Sequence, residues 1–159
     1  MNDLTAEAQG TPSTLKVNDL TEAVIGAAME VRRTLGPGLL ESTYELCLCR
    51  ELTLRGLPFE RQRAIPIVYK GIKLVEGYRA DLLVDNQLLV ELKAVDALLS
   101  INDAQILTYL RLGGWSVGLI IKFNVQLLKH GIRRKVLNFS GRGFVLNSAT
   151  SAPLWLNSK

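Results

Sequence analysis

The apolar and polar positions divide the chain into segments of recognisable period. Residues 1–16 are rich in Thr, Ser, Ala, Gly and Pro and carry no periodic pattern, so a flexible leader is expected there. From Asn18, an N-cap residue type, Leu20, Val24, Ile25, Ala28, Met29 and Val31 or Leu35 follow a helical stripe to about Leu35, where Gly36-Pro37-Gly38 ends it. A second helix is predicted from about Leu39 to Arg55 with Gly56 after it, its stripe being Leu40, Tyr44, Cys47, Leu48 and Leu52. From Pro58 to Tyr69 the pattern turns extended, and Lys70-Gly71 marks a hairpin turn. Ile72 to Gly77 leads into a second hairpin. A third helix, capped by Ser100, Asn102 or Asp103, runs to Leu112 with Gly113-Gly114 as its stop. Trp115 to Ile121 is a continuous apolar run of strand length, and Lys129 to Leu137 reads as a last, basic strand. The tail 139–159 is rich in Gly, Ser and Asn; Phe144, Val145, Leu146, Leu154 and Trp155 are candidates for docking within or between chains.

The order helix, helix, three-strand meander, helix, strand, strand predicts an α/β fold. A helix between the third and fourth strands implies a crossover, and so a mixed sheet of about five strands flanked by helices. A domain over 17–138 between leader and tail is expected, and a chain of 159 residues suits one core of this size.

The stretch Tyr78 to Ala94 holds the candidate chemistry. Leu82–Val84 and Leu88–Val90 flank Asp85-Asn86-Gln87, residue types that favour tight turns, so the stretch reads as a β-hairpin. With the turn centred on Asn86, paired residue numbers sum to about 172, which sets Asp81 across from Glu91. Alternation along the strand then gives Lys93 the same face as Glu91. Two carboxylates and an ammonium converge on an otherwise apolar hairpin, where unpartnered charge is costly. Such a set suits phosphodiester cleavage, since carboxylates hold Mg²⁺ and a Lys orients water or meets charge developing on phosphorus. A cross-strand salt bridge satisfies the same spacing, so spacing alone leaves both readings open.

Charge sharpens this picture. Through Asp103 the chain has 11 Lys/Arg against 15 Asp/Glu; beyond it come 8 Lys/Arg and no acid. That asymmetry suits a polyanionic partner, although a solvated basic surface fits it as well. Cys47 and Cys49, two apart on a helix, point in different directions and predict neither a disulfide nor a metal site. The acidic, non-apolar N-terminus predicts no signal peptide, and no apolar run approaches the ~20 residues that span a bilayer, so a cytoplasmic protein without membrane contact is expected. His130 is the only histidine, which excludes multi-His metal sites. Gly36-Pro37-Gly38 lacks the preceding strand and Gly-Lys-Ser/Thr ending of a phosphate loop.

Asp81 followed by Glu91-Leu92-Lys93 resembles the PD-(D/E)XK nuclease signature, with Ala80 in the place of its Pro. Gly38-Leu39-Leu40-Glu41-Ser42-Thr43-Tyr44 is similar to the GxxExxY pattern of one family in that superfamily, and Gln105 to Tyr109 is similar to the QxxxY motif of its RecB-related branch. The resemblance covers roughly Leu20 to Leu137 and implies a restriction-endonuclease-like core. It implies a metal-dependent nuclease, acting on DNA, with Mg²⁺ as cofactor and Mn²⁺ as a substitute. Asp81, Glu91 and the main-chain carbonyl of Leu92 would be metal ligands, Glu41 a further acid at the metal, and Lys93 the group acting on the attacking water. Gln105 and Tyr109, four apart on one helix face, would line the site. Glu41 also suits the dipole at its helix start, and Tyr44 the edge of the core. Tyr44, Arg61, Arg63, Lys129, Arg133, Arg134 and Lys135 are the candidate nucleic-acid contacts, and a homodimer would serve cleavage of two strands. The alternatives are a module of the same fold that binds nucleic acid or protein without cutting, in a larger assembly, and a structural domain whose charges merely pair.

Overall fold

A computed structural model describes residues 15–138. The element order is α1 (Val17–Leu35), α2 (Glu41–Leu54), β1 (Phe59–Tyr69), β2 (Ile72–Val84), β3 (Leu88–Lys93), α3 (Ser100–Gly113), β4 (Val117–Lys122), a 3₁₀ turn (Leu128–Gly131) and β5 (Ile132–Val136). The strands form one sheet in the order β1-β2-β3-β4-β5. Only β3 and β4 are parallel, and α3 makes the crossover that parallel neighbours require. The expected mixed α/β sheet is present.

Each face of the sheet has its own core. Leu82, Val84, Leu88, Val90, Leu92, Leu119 and Ile121 pack beneath α1 and α2, against Leu20, Val24, Leu48 and Leu52. Ala80, Leu89, Ile120 and Ile65 pack on the other face against Ile106, Tyr109 and Leu110 of α3. The central strands β3 and β4 are thus covered on both sides, which is why their sequences read as unbroken apolar runs.

Two turns fix the meander. Lys70 and Gly71 (φ 48° and 80°) form the two-residue turn that joins Tyr69 to its partner Ile72. Asp85 and Asn86 (φ 51° and 52°) turn β2 into β3, and the Gln87 N–H donates to the Val84 carbonyl at 3.0 Å. The β2–β3 pairs Leu82↔Val90, Leu83↔Leu89 and Val84↔Leu88 follow the register expected from a turn centred on Asn86.

Between Arg61↔Leu82 and Arg63↔Ala80 the β1–β2 ladder lacks one pair, Gln62 with Asp81. Gln62 has a left-handed backbone, φ 49°. On either side of this pair the faces exchange: Leu82 lies in the α1/α2 core but Ala80 in the α3 core, and likewise Phe59 and Ile65 on β1. The hairpin therefore rolls over at Gln62 and Asp81. Regular alternation along β2 stops there.

Other expectations need correction. Asn18 lies inside α1 rather than capping it; Lys16 holds the cap position, and the Asn18 side chain instead accepts a 2.7 Å hydrogen bond from Arg134. Leu40 precedes α2 and is 74% exposed, so the buried stripe is Tyr44, Glu45, Leu48, Cys49 and Leu52. The basic strand is shorter than expected, because Lys129 and His130 belong to the 3₁₀ turn. Most of the leader, and the tail with its docking candidates, lie outside the described residues.

Gly118 on β4 sits directly under α3, and a Cβ there would stand 2.8 Å from Ile106 Cδ1. Gly118→Val is expected to destabilise the fold by about 1–3 kcal/mol through overpacking, measured by urea unfolding. An unchanged midpoint would mean that α3 can lift from β4 freely.

Candidate active site

The site forms where β2 parts from β3. The last β2–β3 pair is Leu82↔Val90, and one step further the backbone bonds give way to side chains. The Asp81 carboxylate accepts the Leu92 N–H at 2.7 Å, and the Asp81 N–H donates to Glu91 Oε1 at 3.3 Å. Each acid is thus clamped to the opposite strand. The N–H and C=O of a strand residue point to the same side, so the Leu92 carbonyl also faces β2. Lys93 Nζ lies 3.8 Å from Glu91 Oε2.

Three other elements close around this group. Glu41, the first residue of α2, accepts the Ala94 N–H at 3.2 Å, which brings it to the end of β3. From α3, Gln105 donates to the Tyr109 hydroxyl at 2.7 Å, and the Tyr109 ring packs on Tyr78 at 5.1 Å between centroids. Glu45, one turn after Glu41, is buried and receives Arg61 (2.9 Å) on one oxygen and the Gln62 amide (2.9 Å) on the other. The same amide reaches Asp81 Oδ1 at 3.4 Å.

Burial dominates the electrostatics. Glu91 is only 4% exposed, and its pKa is pushed up to about 8, by desolvation first and by the Asp81 charge second. Lys93 and the Asp81 N–H pull the other way and do not cancel this. Burial also raises Glu41 and the Tyr109 phenol, the latter with help from the nearby Glu91 charge. Burial pushes the Cys49 thiol up to about 12, in keeping with a core residue.

The structure thus brings together Asp81, Glu91, Lys93 and Glu41, with Gln105 and Tyr109 beside them. Tyr44 must be withdrawn as a nucleic-acid contact. It is fully buried, stacks on Phe123 at 4.3 Å, and donates its hydroxyl to the Gly36 carbonyl at 2.7 Å, bracing the loop before α2. Arg61 is paired with Glu45, and Arg63 with Glu60. Lys129, Arg133, Arg134 and Lys135 are not brought to the site: they lie on or just before the opposite edge strand, β5. Arg133 and Lys135 there share Asp103, whose carboxyl they hold below its usual range.

Glu45 and Gln62 were missed from the sequence. Glu45 could have been found, because it lies four residues after Glu41 on the same helix face. Gln62 had no signal, since nothing in an Arg-Gln-Arg strand announces a left-handed residue.

The donors fit a hard divalent cation. Among the described residues no group of three or more His, Cys, Asp or Glu is arranged to hold a metal. Two carboxylates and a carbonyl nevertheless match what Mg²⁺ takes from proteins, with waters and phosphate completing the shell. The raised Glu91 and its close approach to Asp81 mark a place where a cation relieves repulsion.

The profile of the PD-(D/E)XK nuclease superfamily matches residues 18–135. The chain belongs to that superfamily, whose members as a class are nucleases that act on nucleic acid and generally use divalent metals. No curated protein and no solved structure matches the chain. Among the described residues no helix is long and apolar enough to cross a membrane.

The raised Glu91 predicts a pH dependence. Its folded pKa lies above the ordinary 4.5, so between about 4.5 and 8 the folded chain holds a proton that the unfolded chain has released. Stability from this group therefore falls as pH rises through that window. Glu91→Gln is expected to stabilise the metal-free protein at pH 8 by about 1–3 kcal/mol and to change little at pH 4, read from thermal melts. Destabilisation at pH 8 would contradict a burdened carboxylate.

Proposed function

We propose that the protein is a Mg²⁺-dependent deoxyribonuclease of the GxxExxY family, working in the cytoplasm, with Mn²⁺ as a substitute ion. The observation that carries this is the convergence of Asp81, Glu91 and Lys93 where the β2–β3 ladder opens. A domain that had lost catalysis would have no reason to keep a buried carboxylate beside a second acid, because that placement costs stability.

Asp81, Glu91 and the Leu92 carbonyl would hold the cation, and Glu41 would add an acid from the α2 side. When bound, the ion supplies Lewis acidity that screens the phosphate and makes the attacking water more acidic. Lys93 orients that water and offsets the charge that grows on the phosphate oxygens as it attacks in line. The Gln62 amide, anchored on Glu45, steadies Asp81. Gln105 and Tyr109 form the wall on the α3 side and restrict how the scissile phosphate lies.

The test is cleavage of circular single-stranded DNA and linear duplex with Mg²⁺ or Mn²⁺, beside Lys93→Ala. Metal-dependent cutting by the wild type, reduced about 100- to 1,000-fold in the variant with its fold intact, is expected. Cutting of the circle would show that free ends are not required. No cutting of either DNA, with no Mn²⁺ binding by calorimetry, would overturn the nuclease and leave a module that binds without cutting.

A further inference from the structure

The far half of the β1–β2 hairpin, beyond the site, has no role in the chemistry above. Its cross-strand pairs are Ile67↔Leu74, Val68↔Lys73 and Tyr69↔Ile72, closed by Lys70-Gly71. Directly opposite residues share a face, so Ile67, Leu74, Tyr69 and Ile72 make one apolar stripe. Tyr69 and Ile72 are 62% and 65% exposed, and Leu74 and Val68 are exposed as well. Among the described residues nothing packs over them in either core.

A register shift between Ile65 and Ile67 separates the stripe from the part of the hairpin that packs on α3. Ile65, two residues before Ile67, is buried against α3, and its partner Tyr78 lies on Tyr109. Leu89 of the same β3 row as Glu91 and Lys93 belongs to this α3 core. The hairpin thus extends past the α3 core as an arm with an exposed apolar face.

Charge and edge chemistry decide between occupants. The arm itself, residues 67–74, contains Lys70 and Lys73 and no Asp or Glu, while Arg61 and Arg63 before it are paired with Glu45 and Glu60. Lys70 lies over the Tyr69 ring at 5.4 Å at the tip, and Lys73, paired with Val68, projects from the opposite face of the ribbon. β1 is an edge strand with Pro66 within it, a device that discourages addition of a strand from another protein. A cation at the aromatic and aliphatic tip and a second on the ribbon's reverse face suit the phosphates that border a groove. A two-stranded ribbon fits the major groove, ~12 Å wide, and this one reaches about 15 Å beyond Ile65.

We propose that the arm from Ile67 to Leu74 is a duplex-DNA-binding element that enters a groove beside the scissile phosphate, with Lys70 and Lys73 on the backbone and Tyr69 and Ile72 against base edges. This rests on the reading of the site as one that takes nucleic acid.

The test uses the full chain without metal and a fluorescently labelled duplex of about 30 base pairs, chosen to exceed the footprint of one module. Two double variants are compared with the wild type: Lys70→Gln with Lys73→Gln, and Tyr69→Ser with Ile72→Ser. All four residues are exposed, so circular dichroism and Mn²⁺ affinity should be unchanged. The expected result is duplex affinity at least tenfold weaker in both variants. In the lysine variant the slope of log affinity against log salt should also fall by about 1.8. Wild-type affinity and slope in both variants, or no duplex binding by the wild type, would overturn the arm. So would a wild-type dimer, seen by light scattering, that the variants convert to monomer without DNA, because the surface would then join two copies. If the arm variants lose binding while the wild type cuts nothing, the arm stands and the nuclease fails. If the wild type cuts and the variants bind normally, only the arm fails.

Discussion

Two hydrogen bonds that cross from side chain to backbone hold the site in shape: Asp81 on the Leu92 N–H, and Glu91 on the Asp81 N–H. They replace ladder bonds at the point where β2 leaves β3, so the acids terminate the sheet as well as meeting each other. This explains how two carboxylates can lie so close without a cation. Each has a backbone donor, and the more buried of the two keeps its proton to high pH. The arrangement is tolerable without metal, and a bound cation would relieve the remaining repulsion.

The roll of the hairpin at Gln62 gives Asp81 its freedom. A regular pair there would have tied the Asp81 backbone into β1 and alternated its side chain with those of Ala80 and Leu82. Instead the left-handed Gln62 breaks the pair and places its amide between Glu45 and Asp81. Glu45 is satisfied on both oxygens, so its orientation is fixed and passes to Gln62. Arg61 neutralises Glu45 and keeps it from adding a third uncompensated charge.

Much of this was legible in the sequence where the signal was local. The Asp85-Asn86 turn fixes the β2–β3 register, and with it the meeting of Asp81, Glu91 and Lys93. The glycines after α1 and α3 and the apolar runs of β3 and β4 located their elements closely. The QxxxY resemblance pointed to Gln105 and Tyr109, and helix spacing put them on one face. What depended on distant partners was not legible. An aromatic at Tyr44 could equally have faced solvent or the core, and only the position of Phe123 decides it. Arg133 and Lys135 read as free cations because Asp103 lies on a different element and packs against them only after folding. Gln62 was invisible because a positive φ in a polar residue leaves no compositional trace.

The central claim is that Asp81 and Glu91 together form a divalent cation site. Its most direct test is a crystal of the protein soaked in Mn²⁺, with the ion located by anomalous scattering. The account predicts one strong peak between the two carboxylates, absent in crystals of Asp81→Asn. No peak there, or a peak that survives that substitution, would contradict it.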